Sequence, residues 1–297
     1  LGTDALPAPS AKPTPNPGNT RRGAVFVFAA ASLLAIALGA LAMAQADVPV
    51  SIWIRNPIAW LVAGALSLFL ARRGWLGTAM GPVALIVVAL SFLGPDQQGV
   101  HRWLDFGPVQ LNAAALVLPA AIAAFARTPA TIAIPIFAII AALLAWQPDI
   151  SQLIGFSLAG IILVSGRFGW RGVLAAAVIA AAAIAVCLSR ADPLLPVAHV
   201  EGIFLLAWSQ HPVLAVAMGV ALAATCLSPL LLSPIAELRG PAMALSGYFA
   251  LTGASYLLGA YPVPLAGYGL SFVLGWWLGL AGLSFHGLRS VNSLTSA

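Results

Sequence analysis

Charge is scarce in this 297-residue chain: 7% of its residues are Asp, Glu, Lys or Arg, where a soluble domain carries about 25%. That scarcity excludes a water-facing surface over most of the molecule. Thirteen Lys and Arg against eight Asp and Glu leave a formal charge of +5. The basic residues stand singly or in pairs between apolar runs, so there is no patch to recruit nucleic acid. The two cysteines, Cys187 and Cys226, are too few for a disulfide framework or a four-ligand metal site. His101, His199 and His211 fall toward one side of the chain's layout without a short metal-ligand spacing, and His286 reads as a helix-end residue. No metal ligand is assigned, and with no Gly-rich phosphate loop or Ser/His/Asp arrangement the cofactor stays unknown.

What the chain has in abundance is apolar sequence. Hydrophobic residues make up 61%, the mean hydropathy is +1.01, and ten runs recur at 24–44, 54–71, 75–93, 109–126, 130–146, 149–165, 172–188, 202–225, 241–260 and 270–287. Each approaches the length needed to cross a hydrocarbon core about 30 Å thick. The shortness of the fifth and sixth also allows one element broken at Gln147 and Pro148. Continuous runs rather than alternation exclude a β-barrel. The abundance of Gly and Ala suits close helix packing in lipid.

Charge asymmetry tests the count, because cytoplasmic connections are enriched in Lys and Arg. With ten spans and both termini cytoplasmic, Lys12, Arg21, Arg22, Arg72, Arg73, Arg127, Arg167, Arg171, Arg239 and Arg289 share one side; only Arg55, Arg102 and Arg190 fall on the other. The acids are biased the opposite way, with only Asp4 and Glu237 beside the basic set. The expected architecture is an all-α, polytopic integral membrane bundle over residues 23–288. A Pro-rich cytoplasmic tail (1–22), disordered unless bound, precedes it, and a short cytoplasmic tail (289–297) follows.

Ionisable groups at membrane depth are costly and usually face a partner or a cavity. Here they gather on the acidic side: His101, Arg102 and Asp105; Asp149; Arg190, Asp192, His199 and Glu201; and the polar Tyr268. Solvation by headgroups accounts for any one of them alone. Their collection on a single side points to a shared site.

Four segments carry a family resemblance. GVHRWLDFG (99–107), WQPDIS (146–151), LPVAHVEGIF (195–204) and VPLAGYGLS (263–271) resemble, in order and spacing, motifs of the SEDS family. These are the shape, elongation, division and sporulation proteins that include FtsW and RodA. The resemblance implies a ten-span protein of the bacterial inner membrane. It also implies a glycosyltransferase that polymerises a lipid II-like, undecaprenyl-linked sugar at the periplasmic face, beside a single-span transpeptidase or other complex subunits. Glu201 occupies the position of the family's proposed catalytic Asp and becomes the candidate base. Arg102, Trp103, Asp149, Arg190, His199 and Tyr268 become candidate substrate-binding residues, with the arginines suited to pyrophosphate oxygens.

The chain also departs from the family pattern. Where the family continues with Gln-Pro-Ser-Glu and a following Lys, this sequence has Asn112, Ala113, Ala114, Ala115 and Leu118; Thr-Asp is replaced by Val200 and Glu201. The outer segment between Cys187 and Val200 is short where the family's is long and Gly-rich. A carboxylate at a helix N-terminus is favoured by the macrodipole alone, so Asp149 and Glu201 also have a structural reading. These departures keep a second function open: a catalytically degenerate SEDS-like scaffold that holds membrane partners and lipids.

Overall fold

The computed structural model describes residues 16–190 and 192–285. The tail expected at 289–297, His286 and most of the Pro-rich segment lie outside the described residues. The chain is already helical at Pro17, because Asn16 accepts the Gly18 N–H at 2.9 Å and Pro17 pre-sets the first turn.

Eleven helices follow in the described residues: α1 Pro17–Gln45, α2 Val50–Trp53, α3 Arg55–Arg73, α4 Met80–Leu90, α5 Ala113–Phe125, α6 Ala130–Trp146, α7 Ile150–Leu188, α8 Ile203–Gln210, α9 Pro212–Leu227, α10 Arg239–Ala254 and α11 Leu270–Ser284. By length and composition Pro17–Gln45, Val50–Arg73, Ile150–Leu188 and Pro212–Leu232 are long and apolar enough to span a membrane; Met80–Leu93, Ala113–Phe125, Ala130–Trp146 and Leu270–Ser284 are shorter apolar helices. The only strands among the described residues are β1 Trp103–Asp105 and β2 Gln110–Asn112, an antiparallel hairpin pairing Trp103 with Asn112 and Asp105 with Gln110.

The apparent 39-residue length of α7 conceals two spans. A straight helix of that length would reach ~58 Å, yet Arg102 contacts the Pro148 carbonyl just before α7 at 2.6 Å and the Asp192 carboxylate just after it at 2.7 Å. The element folds back at Gly169, whose φ of 57° and ψ of −152° lie outside the helical region and are reached readily only by glycine. Its arms, residues 150–168 and 170–188, are the sixth and seventh apolar runs. The α6/α7 boundary at Gln147 likewise separates the fifth run from the sixth.

One run is divided. Residues 202–225 read as a single span, but His211 is extended (φ −158°, ψ 119°), its Nδ1 accepts the Val213 N–H, and Pro212 starts a new helix. Helix α8 therefore doubles back along α9, with Phe204 against Gly219, and Gln210 ties it to the Ala42 carbonyl of α1 at 2.8 Å. Proline at N1 removes a backbone donor that no preceding carbonyl could use, so the break costs little.

Core packing pairs α11 with α5 and α3, α10 with α7, and α1 with α9. Trp276 is fully buried and stacks on Phe249 at 4.1 Å; Trp277 meets Phe28 edge-on at 5.0 Å and Trp60 at 5.5 Å. Both tryptophans are packing residues. The periphery is apolar, with Phe26, Leu61, Val178, Leu205 and Val220 exposed, as a lipid-facing surface requires. Cys187 and Cys226 are buried and unpaired.

Candidate active site

Three connections converge at one end of the bundle. The first is the β1–β2 hairpin. Asp105 accepts the Gly107 N–H at 2.7 Å, and Gly107 has a φ of 77°, which turns the chain tightly. At its exit Asn112 caps α5, accepting the Ala115 N–H at 2.8 Å, while its own N–H is held by Ser271 at 2.7 Å. The second connection is the α7 start, where Asp149 accepts from Ser151 Oγ at 2.6 Å and Gln152 N at 3.3 Å. Asp149 is thus an N-cap.

The third connection, residues 259–269, enters the bundle instead of skirting it, and Val263, Leu265 and Ala266 are buried. Asn56 at the start of α3 holds it there. Asn56 Nδ2 donates to the Leu265 and Gly267 carbonyls at 3.2 and 2.8 Å, and Oδ1 accepts the Gly269 N–H at 3.3 Å. Gly39 of α1 lets the Ala266 carbonyl approach so closely that any Cβ would overlap it. The segment before α8 docks on this loop through Tyr268 N–H to His199 O at 2.9 Å and Val263 N–H to Val200 O at 3.4 Å.

Arg102 lies at the centre, 4% exposed. It pairs with Asp192 at 2.7 Å and Asp149 at 3.8 Å and donates to the carbonyls of Gln147 and Pro148. Burial by itself disfavours the charged guanidinium, but the two carboxylates outweigh it and raise its pKa. Its Nε and Nη2 donors are committed to the protein, which makes Arg102 the tie between the hairpin, the α7 start and the segment after α7.

Glu201 stands where two cavities meet. A polar cleft of about 360 Å³ is lined by Arg102, Trp103, Asn112, Asp149, Glu201 and Tyr268 among others. An apolar cavity of about 810 Å³ is lined by Pro196, Phe204, Leu205, Trp208, Tyr256 and Leu257, and Glu201 borders it as well. Glu201 Oε2 accepts the Val197 N–H at 2.8 Å. Burial pushes its carboxyl above the ordinary glutamate range, opposed in part by that hydrogen bond.

Of the residues proposed from sequence, Arg102, Trp103, Asp149, Glu201 and Tyr268 share the polar cleft. His199 contributes its backbone to the docking of this loop, and burial lowers the pKa of its imidazole. Arg190 is separate: it is exposed and lies over the Trp146 ring at 4.3 Å. Arg55 and Asn56 had not been assigned to the site. Arg55 Nη1 reaches the Tyr268 hydroxyl at 3.1 Å, and among the described residues it makes no ion pair. A signal existed, since Arg55 is one of the three arginines left on the acidic side. Among the described residues no group of three or more His, Cys, Asp or Glu side chains is arranged to hold a metal ion.

Asn56 should be critical to the shape of the cleft. Asn56→Leu leaves two carbonyls and an N–H unpaired in the interior at about 1–3 kcal/mol for each buried group. The expected outcome is a lower unfolding midpoint in detergent micelles together with increased protease cleavage at 259–269.

The crystal structure of Thermus thermophilus rod shape determining protein RodA superposes with a TM-score of 0.61 at 21% identity, covering 89% of this chain and 95% of that one. A mutant form of the same protein gives 0.62 with the same coverage and identity. This chain has the RodA fold. A chain from a peptidoglycan synthase complex, described as coordinating polymerization and crosslinking, matches at a TM-score of 0.60 and 22% identity over 91% of this chain and 97% of that one. No protein-family model and no curated protein matches the sequence.

At the departures after Asn112 the RodA-like fold carries apolar packing in place of charge. Ala113, Ala114, Ala115 and Leu118 are almost wholly buried. Gly275 of α11 lies against the Ala115 carbonyl where no Cβ would fit.

Proposed function

We propose that this protein is a divergent SEDS-like glycosyltransferase of bacterial envelope synthesis that polymerises an undecaprenyl-linked sugar at the periplasmic face of the inner membrane, with both termini cytoplasmic. The observation that carries this reading is the meeting of a polar cleft and an apolar cavity at Glu201. A lipid-linked sugar has the same division: its polyprenyl chain belongs among Phe204, Leu205 and Trp208, and its sugar and diphosphate beside Trp103, Tyr268 and Glu201. Glu201 accepts the proton of the attacking hydroxyl. Arg55, at the rim through Tyr268 and without a carboxylate partner among the described residues, steadies the leaving diphosphate in place of Arg190. Asp149 and Arg102 hold the cleft's shape.

One observation favours the alternative of a non-catalytic scaffold: Arg102, the most buried cation in the cleft, is already engaged by Asp149 and Asp192. Offering lipid II to the purified chain, alone and with a single-span transpeptidase partner, separates the readings. Glycan polymer formation supports the enzyme; stable complex formation without turnover supports the scaffold. The pH profile adds a second criterion. The base form of Glu201 is ionised and its pKa is raised by burial, so activity should increase with pH through a midpoint above the ordinary glutamate value and disappear below it.

A further inference from the structure

At the opposite end from Glu201, α6 and the two arms of α7 enclose a wedge. Its volume is about 450 Å³, and its walls include Ala133, Phe137, Leu163, Val164, Ala175 and Ile179. It exists because Gly169 turns the chain out of helical geometry and the arms diverge from that point. Its lining is almost entirely apolar, with two exceptions, Arg167 and Arg171, on either side of the turn.

Neither arginine forms an ion pair among the described residues, and no carboxylate lines the wedge. Arg167 donates to the carbonyls of Thr128 and Ala126. Arg171 lies 5.6 Å from the centre of the Trp170 ring. Trp170 and Phe168 are 71% and 46% exposed beside them, in the pattern of aromatics at a membrane interface.

We infer that this wedge binds one anionic phospholipid, with an acyl chain between the arms of α7 and the phosphate at Arg171 and Arg167. Charge complementarity selects the occupant. A zwitterionic lipid fills the apolar space equally well and brings the same phosphodiester, but its quaternary ammonium then faces two guanidiniums and no lining carboxylate, whereas a lipid with net negative charge makes the charge-assisted hydrogen bonds without that repulsion. The acyl chain supplies the apolar part of binding, which a free phosphate lacks. The inference is independent of the chemistry proposed at Glu201.

The test uses the whole chain in detergent micelles, with bound lipid read by native mass spectrometry. The probes are phosphatidylglycerol, phosphatidylcholine with the same acyl chains, and glycerol phosphate. Phosphatidylglycerol should be retained in preference to phosphatidylcholine, and glycerol phosphate should not compete at equal concentration. Arg171→Gln removes no hydrogen bond that holds the fold and should weaken phosphatidylglycerol retention about five-fold, with phosphatidylcholine unchanged. Ala175→Phe fills the wedge from an exposed wall position and should reduce retention of both lipids while the unfolding midpoint stays the same. Equal retention of the two lipids, an undiminished preference in Arg171→Gln, or full phosphatidylglycerol binding in Ala175→Phe would overturn the inference. Effective competition by glycerol phosphate would also overturn it, by identifying a bare anion site.

Discussion

Glu201→Gln should reduce glycan polymerisation from lipid II by about 10²–10⁴-fold, the usual contribution of a positioned general base. The substitution retains the volume of the side chain. An amide oxygen can still accept the Val197 N–H that Glu201 Oε2 accepts at 2.8 Å, so the turn preceding α8 and the unfolding midpoint should be preserved. What is lost is the capacity to take a proton. Glu201→Asp separates reach from basicity: it restores a carboxylate of the kind the family carries there but shortens the side chain by one methylene. A displacement of about 1 Å can cost on the order of 100-fold, so the Asp variant should fall between the wild type and Gln. Unchanged polymer yield in Glu201→Gln would remove this carboxylate from the chemistry.

Arg102→Met should lower stability by about 3–5 kcal/mol, because removing one partner of a buried ionic group leaves the other charges without compensation. The group is a triad: Arg102 is 4% exposed and pairs with Asp149 and Asp192. It also satisfies two carbonyls, so its loss disconnects the hairpin, the α7 start and the segment after α7 together. The measurement is the thermal unfolding midpoint in micelles. Adding Asp149→Asn and Asp192→Asn to Arg102→Met should recover part of the loss, since no unpaired charge then remains. A midpoint unchanged by Arg102→Met would show that the triad is solvated and holds nothing in place. Arg102→Lys should restore the charge but only part of the stability, because an ammonium cannot reproduce the guanidinium's fixed fork.

Much of the fold was legible in the sequence because a bilayer imposes a simple rule. Every backbone polar group must be paired inside hydrocarbon, so long apolar runs become helices; each of the ten runs holds helix, although 202–225 is divided at His211 and Pro212. The division of α7 was legible too, since Gly169 and the charged pair Arg167 and Arg171 interrupt the apolar pattern. The break within 202–225 was less accessible. His211 and Pro212 form a weak signal inside a run whose hydropathy continues on both sides, and α8 doubles back because α9 and α1 offer surfaces for it to cover.

The site divided in the same way. Motif order brought Arg102, Trp103, Asp149, Arg190, His199, Glu201 and Tyr268 into one set, and all but Arg190 and His199 line one cleft. The sequence by itself determined the membrane bundle and the side on which its ionisable groups collect, because both follow from one-dimensional hydropathy and charge. Only the tertiary structure decided which of those groups neutralise one another: it committed Arg102 to two carboxylates, left Arg190 on Trp146, and brought Arg55 to Tyr268 and Asn56 to the buried loop. Electrostatic and hydrogen-bonding partners are fixed by distances of a few Å between segments far apart in the chain, which hydropathy and spacing do not encode.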